Sequence, residues 1–114
     1  MKSKINAQVH QLQEKAEQAS ELLKAMANPS RLLILCQLAE GEKSVGELEQ
    51  VVGLSQSGLS QHLALLRREG VVATRRDAQF IFYRLASPEA HAIMRTLYEA
   101  FCAKVDSKAR RLAA

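Results

Sequence analysis

The stretch Leu54-Ser-Gln-Ser-Gly-Leu-Ser-Gln-His-Leu-Ala-Leu-Leu-Arg-Arg68 decides the fold of this chain. Within it, Leu59, Leu63 and Leu66 recur at helical spacing and predict one buried helix face. Just upstream, Ser44-Val-Gly-Glu47 has the pattern of a capping box, which opens a short helix that ends at a glycine. The two helices, joined by three residues, predict a helix-turn-helix over about residues 44–69.

The polar face of the second of these helices carries short hydrogen-bonding side chains, which suit the reading of bases in the major groove. We predict that its members contact DNA: Ser55, Gln56, Ser57, Ser60, Gln61 and His62. Arg67 and Arg68 lie at the far end of the helix, where they can reach the phosphate backbone. Gly58 lowers helix propensity, and we attribute it to a close approach to a phosphate. This segment alone leaves a second interpretation open, that of an ordinary polar surface helix.

The flanking segments extend the prediction to a winged helix. An apolar stripe predicts a first helix over about residues 8–27, and Asn28-Pro29 starts a second helix that Gly41 ends. Residues 71–85 are rich in β-branched and aromatic side chains around Asp77-Ala78, which predicts a hairpin, or wing. Ser87-Pro88 opens a last helix over about 88–105. The expected fold is mainly α with a small β-hairpin, in the order α-α-α-α-β-β-α.

The charge distribution also favours the second half of the helix-turn-helix and the wing as a surface for a polyanion. Sixteen Lys and Arg against twelve Asp and Glu give a net charge of +4. Residues 55–84 hold five of the bases, all arginine, against two acids. Arginine is the better ligand for phosphate and guanine, so we predict that the wing contacts DNA through Arg75, Arg76 and Gln79.

Length and composition bound the remaining possibilities. A chain of 114 residues predicts one domain spanning 1–114. No apolar run is long enough for a membrane span and the first residues do not resemble a signal peptide, so we expect a cytoplasmic protein that binds no membrane. The three histidines are scattered and no glycine-rich phosphate loop is present, so an enzyme is not expected.

Several motifs resemble those of the ArsR family of bacterial winged-helix repressors. They are Leu22–Cys36 with its Ala-Asn-Pro-Ser-Arg core, Ser44–Leu48, Leu54–Arg68 and Phe82–Leu85. The resemblance covers roughly residues 18–105. It implies a homodimer formed through the first and last helices, which binds double-stranded DNA at an inverted-repeat operator and represses transcription.

The metal sites known in that family are not matched. Members with a thiolate site carry cysteines on the helix that begins near Ser44, and this chain has none there. In the family's last-helix site the corresponding positions are Glu89, His91, Cys102 and Val105, so two of the four ligands are replaced. Tight zinc binding needs four good ligands. We therefore predict no metal and no cofactor.

The two cysteines, Cys36 and Cys102, each lie on an apolar stripe. From the residues alone they can be buried small hydrophobic side chains or a reactive pair. Ile34–Cys36 and Tyr98–Cys102 resemble a subgroup of the ArsR family that senses reactive sulfur through such a pair. That resemblance implies a small sulfur-containing inducer, a persulfide, polysulfide or oxidant, which reacts covalently and releases DNA. The alternative is an ArsR-type regulator that responds to haem on Cys102 or to a metal at an unrecognised site.

Overall fold

A computed structural model describes residues 2–102, with side chains from residue 7 onward. The elements, in chain order, are α1 (Lys2–Met26), α2 (Pro29–Glu40), β1 (Lys43–Ser44), α3 (Val45–Val52), α4 (Gln56–Arg68), β2 (Val72–Asp77), β3 (Phe80–Leu85), α5 (Pro88–Leu97) and a π-helical segment (Tyr98–Cys102). The expected mainly helical fold with a small β-hairpin is confirmed. Within residues 2–102 no helix is long and apolar enough to cross a bilayer.

Side-chain caps begin the helices at the residues that the sequence indicates. Asn28, Ser44, Ser55 and Ser87 each accept hydrogen bonds from backbone N–H groups in the first turn that follows. At Ser44 the capping box is complete, because the Glu47 carboxylate also accepts from the Ser44 N–H at 3.1 Å. These caps satisfy N–H groups that have no partner inside the helix.

The sheet has three strands where the sequence predicted two. The additional strand, β1, pairs antiparallel with β3, so that the strand order is β1-β3-β2. Lys43 lies opposite Tyr83 and Ser44 opposite Phe82. Two residues are too few to show the alternation that marks a strand, and β1 is defined by its pairing with β3.

The tip of the wing also differs from the expectation by one residue. Asp77 pairs with Phe80, so the tip is formed by Ala78 and Gln79 rather than by Asp77 and Ala78. Ala78 has a φ of 56°, a left-handed conformation that matches the twist of two-residue hairpin loops.

The last helix begins at Pro88, as predicted, and changes its helical type before the end of the described residues. Regular α-helix ends at Leu97, and Tyr98–Cys102 continues it as a π-helix. A π-helical turn holds more residues than an α-turn, so it changes the direction in which Cys102 projects. Val105 and the predicted end of this helix lie outside the described residues.

The buried core is built mainly by the helices, together with Val71 and with Val72 of β2. Its fully buried large side chains are Ile34, Leu35, Leu48, Leu59, Leu63, Leu66 and Val71. Among the α1 side chains that the structure describes, from residue 7 onward, Ala25 and Met26 are the buried ones. Val9, Leu12 and Leu23 are 46%, 69% and 51% exposed. The described residues therefore leave the apolar stripe of α1 uncovered.

Candidate nucleic-acid interface and thiol pocket

The N-terminal half of α4 presents its polar side chains to solvent. Leu59, Leu63 and Leu66 are buried and fix the opposite face of the helix against the core. The predicted DNA-contacting residues that are exposed on this segment are Ser55, Gln56, Ser57, Ser60 and Gln61. The hydrogen-bonding groups that can read base edges thus share one accessible surface.

Ser55 is the cap of α4 and lies close to the glycine in the first turn of this helix. The Ser55 Oγ accepts a hydrogen bond from the Gly58 N–H at 3.1 Å. A Cβ on Gly58 would lie 3.1 Å from that same Oγ, which is tighter than ordinary contact. Within the chain Gly58 therefore lies close to the helix cap, and its close approach to a phosphate stays a prediction.

His62 lies at the margin of the exposed face. It is half-buried, and its Nδ1 lies 3.5 Å from Nη1 of Arg31. Arg31 also donates from Nε to the carbonyl oxygen of Ala25 at 2.6 Å and from Nη2 to that of Lys24 at 3.3 Å. Arg31 thus joins the end of α1 to α4 from the first turn of α2, a link over 31 residues for which the sequence has no local signal.

The C-terminal end of α4 is basic and borders a surface pocket. Arg67 and Arg68 are exposed, and the Arg68 Nε lies 3.6 Å from the Glu69 carboxylate. Both arginines line a pocket of about 490 Å³ together with Ser60 and Tyr83. The pocket lies between α4 and the wing strand β3, so the helix and the wing form one continuous surface.

The three predicted wing contacts have different surroundings. Arg75 is paired with Glu42, with its Nε 2.8 and 2.9 Å from the two carboxylate oxygens. Arg76 is exposed, and no carboxylate among the described residues lies within 4.0 Å of its guanidinium. Gln79 is exposed at the tip. Adjacent strand residues point to opposite faces, which accounts for the difference between the two arginines.

The two cysteines lie on different helices and line one pocket. Cys36 in α2 and Cys102 at the end of the π-helical segment are both half-buried and both free. Together they line an apolar pocket of about 460 Å³, whose other walls include Leu32, Leu97 and Phe101. Since the pocket is open and each thiol is partly exposed, the structure does not place either cysteine as a sealed core residue.

The electrostatics of the pocket favour a protonated Cys36. Burial raises the pKa of the Cys36 thiol, and the negative charges of Cys102 and Glu40 raise this pKa further. The electrostatic interaction with Cys102 means that a negative charge on this thiol disfavours ionisation of Cys36. A first thiolate in this pocket therefore disfavours a second one.

Comparisons with known proteins agree with this architecture. The family model for bacterial regulatory proteins of the arsR family matches residues 28–74. The chain is 50% identical over 94 residues to the transcriptional activator HlyU of Vibrio cholerae, covering 82% of this chain and 87% of that protein. It is 46% identical over 93 residues to the biofilm growth-associated repressor of Xylella fastidiosa, covering 82% of each chain. The chain belongs to the ArsR family.

Solved structures extend the ArsR likeness to three dimensions. Reduced HlyU from Vibrio cholerae superposes with a TM-score of 0.78 at 51% identity, covering 81% of this chain and 97% of that one. The transcriptional repressor BigR from Xylella fastidiosa gives 0.75 at 45% identity, covering 82% and 95%. The predicted winged helix is confirmed, and the chain is a DNA-binding transcriptional regulator rather than an enzyme.

The last-helix positions of the ArsR metal site that the structure describes are Glu89, His91 and Cys102. Glu89 and His91 are exposed on α5, and His91 lines a smaller pocket with Cys36 and Glu40. Among the described residues no group of three or more His, Cys, Asp or Glu side chains could hold a metal ion. The fourth position, Val105, lies outside the described residues.

Proposed function

We propose that this ArsR-family regulator is a repressor that leaves its operator when Cys36 and Cys102 react with a persulfide, a polysulfide or an oxidant. The observation that carries the proposal is the apolar pocket of about 460 Å³ that both thiols line. It is large enough to admit a small sulfur compound and brings the only two cysteines of the chain to one site. The likeness to the reduced form of HlyU supports the same assignment.

DNA recognition is assigned to α4 and the wing. Bases are read by the exposed side chains at the start of α4, since these carry both donors and acceptors. Arg67, Arg68 and Arg76 contact phosphates, and Gln79 contacts DNA at the wing tip. His62 acts at the edge of this surface, where Arg31 holds it.

A second copy of the chain is the partner that fits the uncovered apolar surface. Val9, Leu12 and Leu23 of α1 are about half or more exposed, and Phe101 at the other end of the chain is 71% exposed. Single exposed apolar residues are ordinary, but a stripe along one helix indicates an interface. A homodimer through α1 and the last helix places two α4 helices on successive half-sites, which lie about 34 Å apart on an inverted repeat.

The sulfur chemistry balances with the two thiols and one polysulfide. A thiolate attacks the central sulfur of an organic trisulfide and expels one organic thiolate. The second thiolate attacks the sulfur just transferred and expels the other. The protein then holds a trisulfide bridge with one added sulfur, the two cysteines have lost two electrons, and the trisulfide has been reduced to two thiolates.

Such a bridge would change the position of α4 through its contact with α2. Cys36 and Arg31 lie on the same helix, and Arg31 contacts His62 of α4. A bridge that draws α2 towards the last helix shifts this contact and, in a dimer, the spacing of the two α4 helices. Since half-site spacing is set by the DNA, a modest change in that spacing weakens binding.

The direct test is to treat the reduced protein with an organic trisulfide and to follow intact mass and operator binding together. We expect a mass increase of one sulfur less two hydrogens, release of DNA, and reversal of both by a strong reductant. Release without a mass change would contradict the proposal. A Soret band and DNA release on titration with haem, with no response to the trisulfide, would favour the haem alternative.

The raised pKa of Cys36 predicts a pH dependence of its reactivity. Because only the thiolate is nucleophilic, alkylation of Cys36 by iodoacetamide should accelerate with pH and reach half its maximum rate above the pKa of an ordinary cysteine. Removing a negative charge with Glu40→Gln should lower this pKa and speed alkylation at neutral pH, since the rate follows the thiolate fraction.

Peptide mapping by mass spectrometry gives the alkylation rate of each cysteine separately. Glu49→Gln, on α3, is the matched control and should leave the rate at Cys36 unchanged. A midpoint for Cys36 below that of an unfolded cysteine peptide would show that the pocket activates this thiol rather than protecting it.

A further inference from the structure

One arginine of the wing, Arg75, forms an ion pair with a residue outside the wing. Glu42, in the link between α2 and β1, forms a two-pronged ion pair with Arg75 of β2. In addition to the two Nε contacts, the Nη2 of Arg75 lies 2.6 Å from the Oε1 of Glu42. The guanidinium of Arg75 also lies 4.5 Å from the centre of the Phe82 ring and 3.8 Å from the Asp77 carboxylate. Three neighbouring side chains therefore hold one exposed arginine, where a phosphate-binding arginine is usually free to turn towards its ligand.

The ion pair with Arg75 stabilises the ionised form of Glu42. Hydrogen bonding to Arg75 lowers the pKa of the Glu42 carboxyl, and the charges of Arg75 and Arg84 lower this pKa further. Glu42 is therefore ionised at neutral pH. Two-pronged guanidinium–carboxylate pairs are among the stronger ion pairs, because two hydrogen bonds and the charges act together.

The charge that the wing offers to DNA is consequently smaller than its sequence suggests. Arg75 and Arg76 are neighbours in β2, yet only Arg76 lacks a carboxylate within 4.0 Å among the described residues. To reach a phosphate, Arg75 would have to leave Glu42, and the freed carboxylate would then lie close to the DNA. That exchange replaces one ion pair by another and adds a repulsion.

We propose that Glu42 is a specificity-determining residue, which holds Arg75 inside the wing and so withholds one cation from the phosphate backbone. The proposal rests on DNA binding by the wing but not on the thiol chemistry. Phosphate contacts strengthen binding to all sequences alike, whereas base contacts distinguish the operator. Withholding one phosphate contact in each subunit therefore lowers the affinity for random DNA and leaves more of the operator affinity to α4.

The salt dependence of binding counts phosphate contacts and so tests the proposal. The probe is a fluorescein-labelled 30-base-pair duplex of mixed sequence, titrated with the full chain at about 50 to 200 mM NaCl. Glu42→Gln should bind it more tightly, with a log–log salt slope steeper by about 0.9 for each wing on the DNA. Glu89→Gln, which removes one negative charge at the start of α5, is the matched control and should leave the slope unchanged.

Two further variants show whether Arg75 is the cation that is released. The double variant Glu42→Gln/Arg75→Gln should return to the slope of the unmodified protein. Arg76→Gln should flatten that slope by about 0.9 for each wing. If Glu42→Gln leaves the slope unchanged, or if the double variant stays as steep as Glu42→Gln, the proposal is overturned. If Arg76→Gln leaves the salt slope unchanged while Glu42→Gln makes it steeper, only the assignment of Arg76 as a phosphate contact is wrong.

Discussion

Replacing either Cys36 or Cys102 with serine should abolish the release of operator DNA by an organic trisulfide. Each variant should still bind DNA when reduced, because neither residue lies on the exposed face of α4 or on the wing. A lone thiol can accept a sulfur but cannot close a bridge to the opposite helix. The response should fall from full dissociation to none, as measured by fluorescence anisotropy of a labelled operator.

Mass spectrometry of the same samples separates a bridge from simple modification. Each single-cysteine variant should gain the mass of an adduct, while the unmodified protein gains a bridge without a retained organic group. Hydrogen peroxide is the matched oxidant that supplies no sulfur atom, and it should act more weakly if the two thiols need an inserted sulfur to meet. Dissociation of either variant as readily as the unmodified protein would contradict the paired-thiol mechanism.

Loss of the polar face of α4 should abolish recognition of the operator. Gln61→Ala alone should weaken operator binding by about 1–3 kcal/mol and relax one base position, because a side-chain amide that contacts a base pair is worth about that much. The combined change of Gln56, Ser60 and Gln61 to alanine should reduce operator affinity to that for random DNA. Anisotropy with an operator duplex and with a scrambled duplex measures both quantities.

The scrambled duplex is the internal control for this experiment. Its affinity and salt slope should not change, since none of the three side chains carries a charge. All three are exposed, so the thermal unfolding temperature should stay close to that of the unmodified protein. Undiminished operator binding by the triple variant would show that α4 is not the reading helix.

Local chemistry explains which parts of the fold could be predicted. Asn28, Ser44 and Ser55 act through hydrogen bonds within three residues of themselves, so their roles are visible in the sequence. Strand β1 was missed because its two residues are ordered by pairing with β3, nearly 40 residues later. The π-helical segment was missed because it depends on hydrogen-bond register, which leaves no mark on the spacing of apolar residues.

The candidate site likewise contains residues that local sequence patterns predict and contacts that they do not. The exposed side chains at the start of α4 follow from helical periodicity, whereas the contact of Arg31 with His62 spans 31 residues and the pairing of Glu42 with Arg75 spans 33. Such partners have no fixed spacing that a sequence pattern could reveal. The shared pocket of Cys36 and Cys102 is likewise a product of how α2 packs on the last helix, and the sequence pointed to it only through resemblance.

Ser44 belongs to two structures at once. As the last residue of β1 it pairs with Phe82 of the wing, and as the cap of α3 it begins the helix-turn-helix. The wing and the first helix of the helix-turn-helix therefore meet at a single residue. In the proposed homodimer, we expect a change in how the two subunits face each other to move the wing and the helix-turn-helix together.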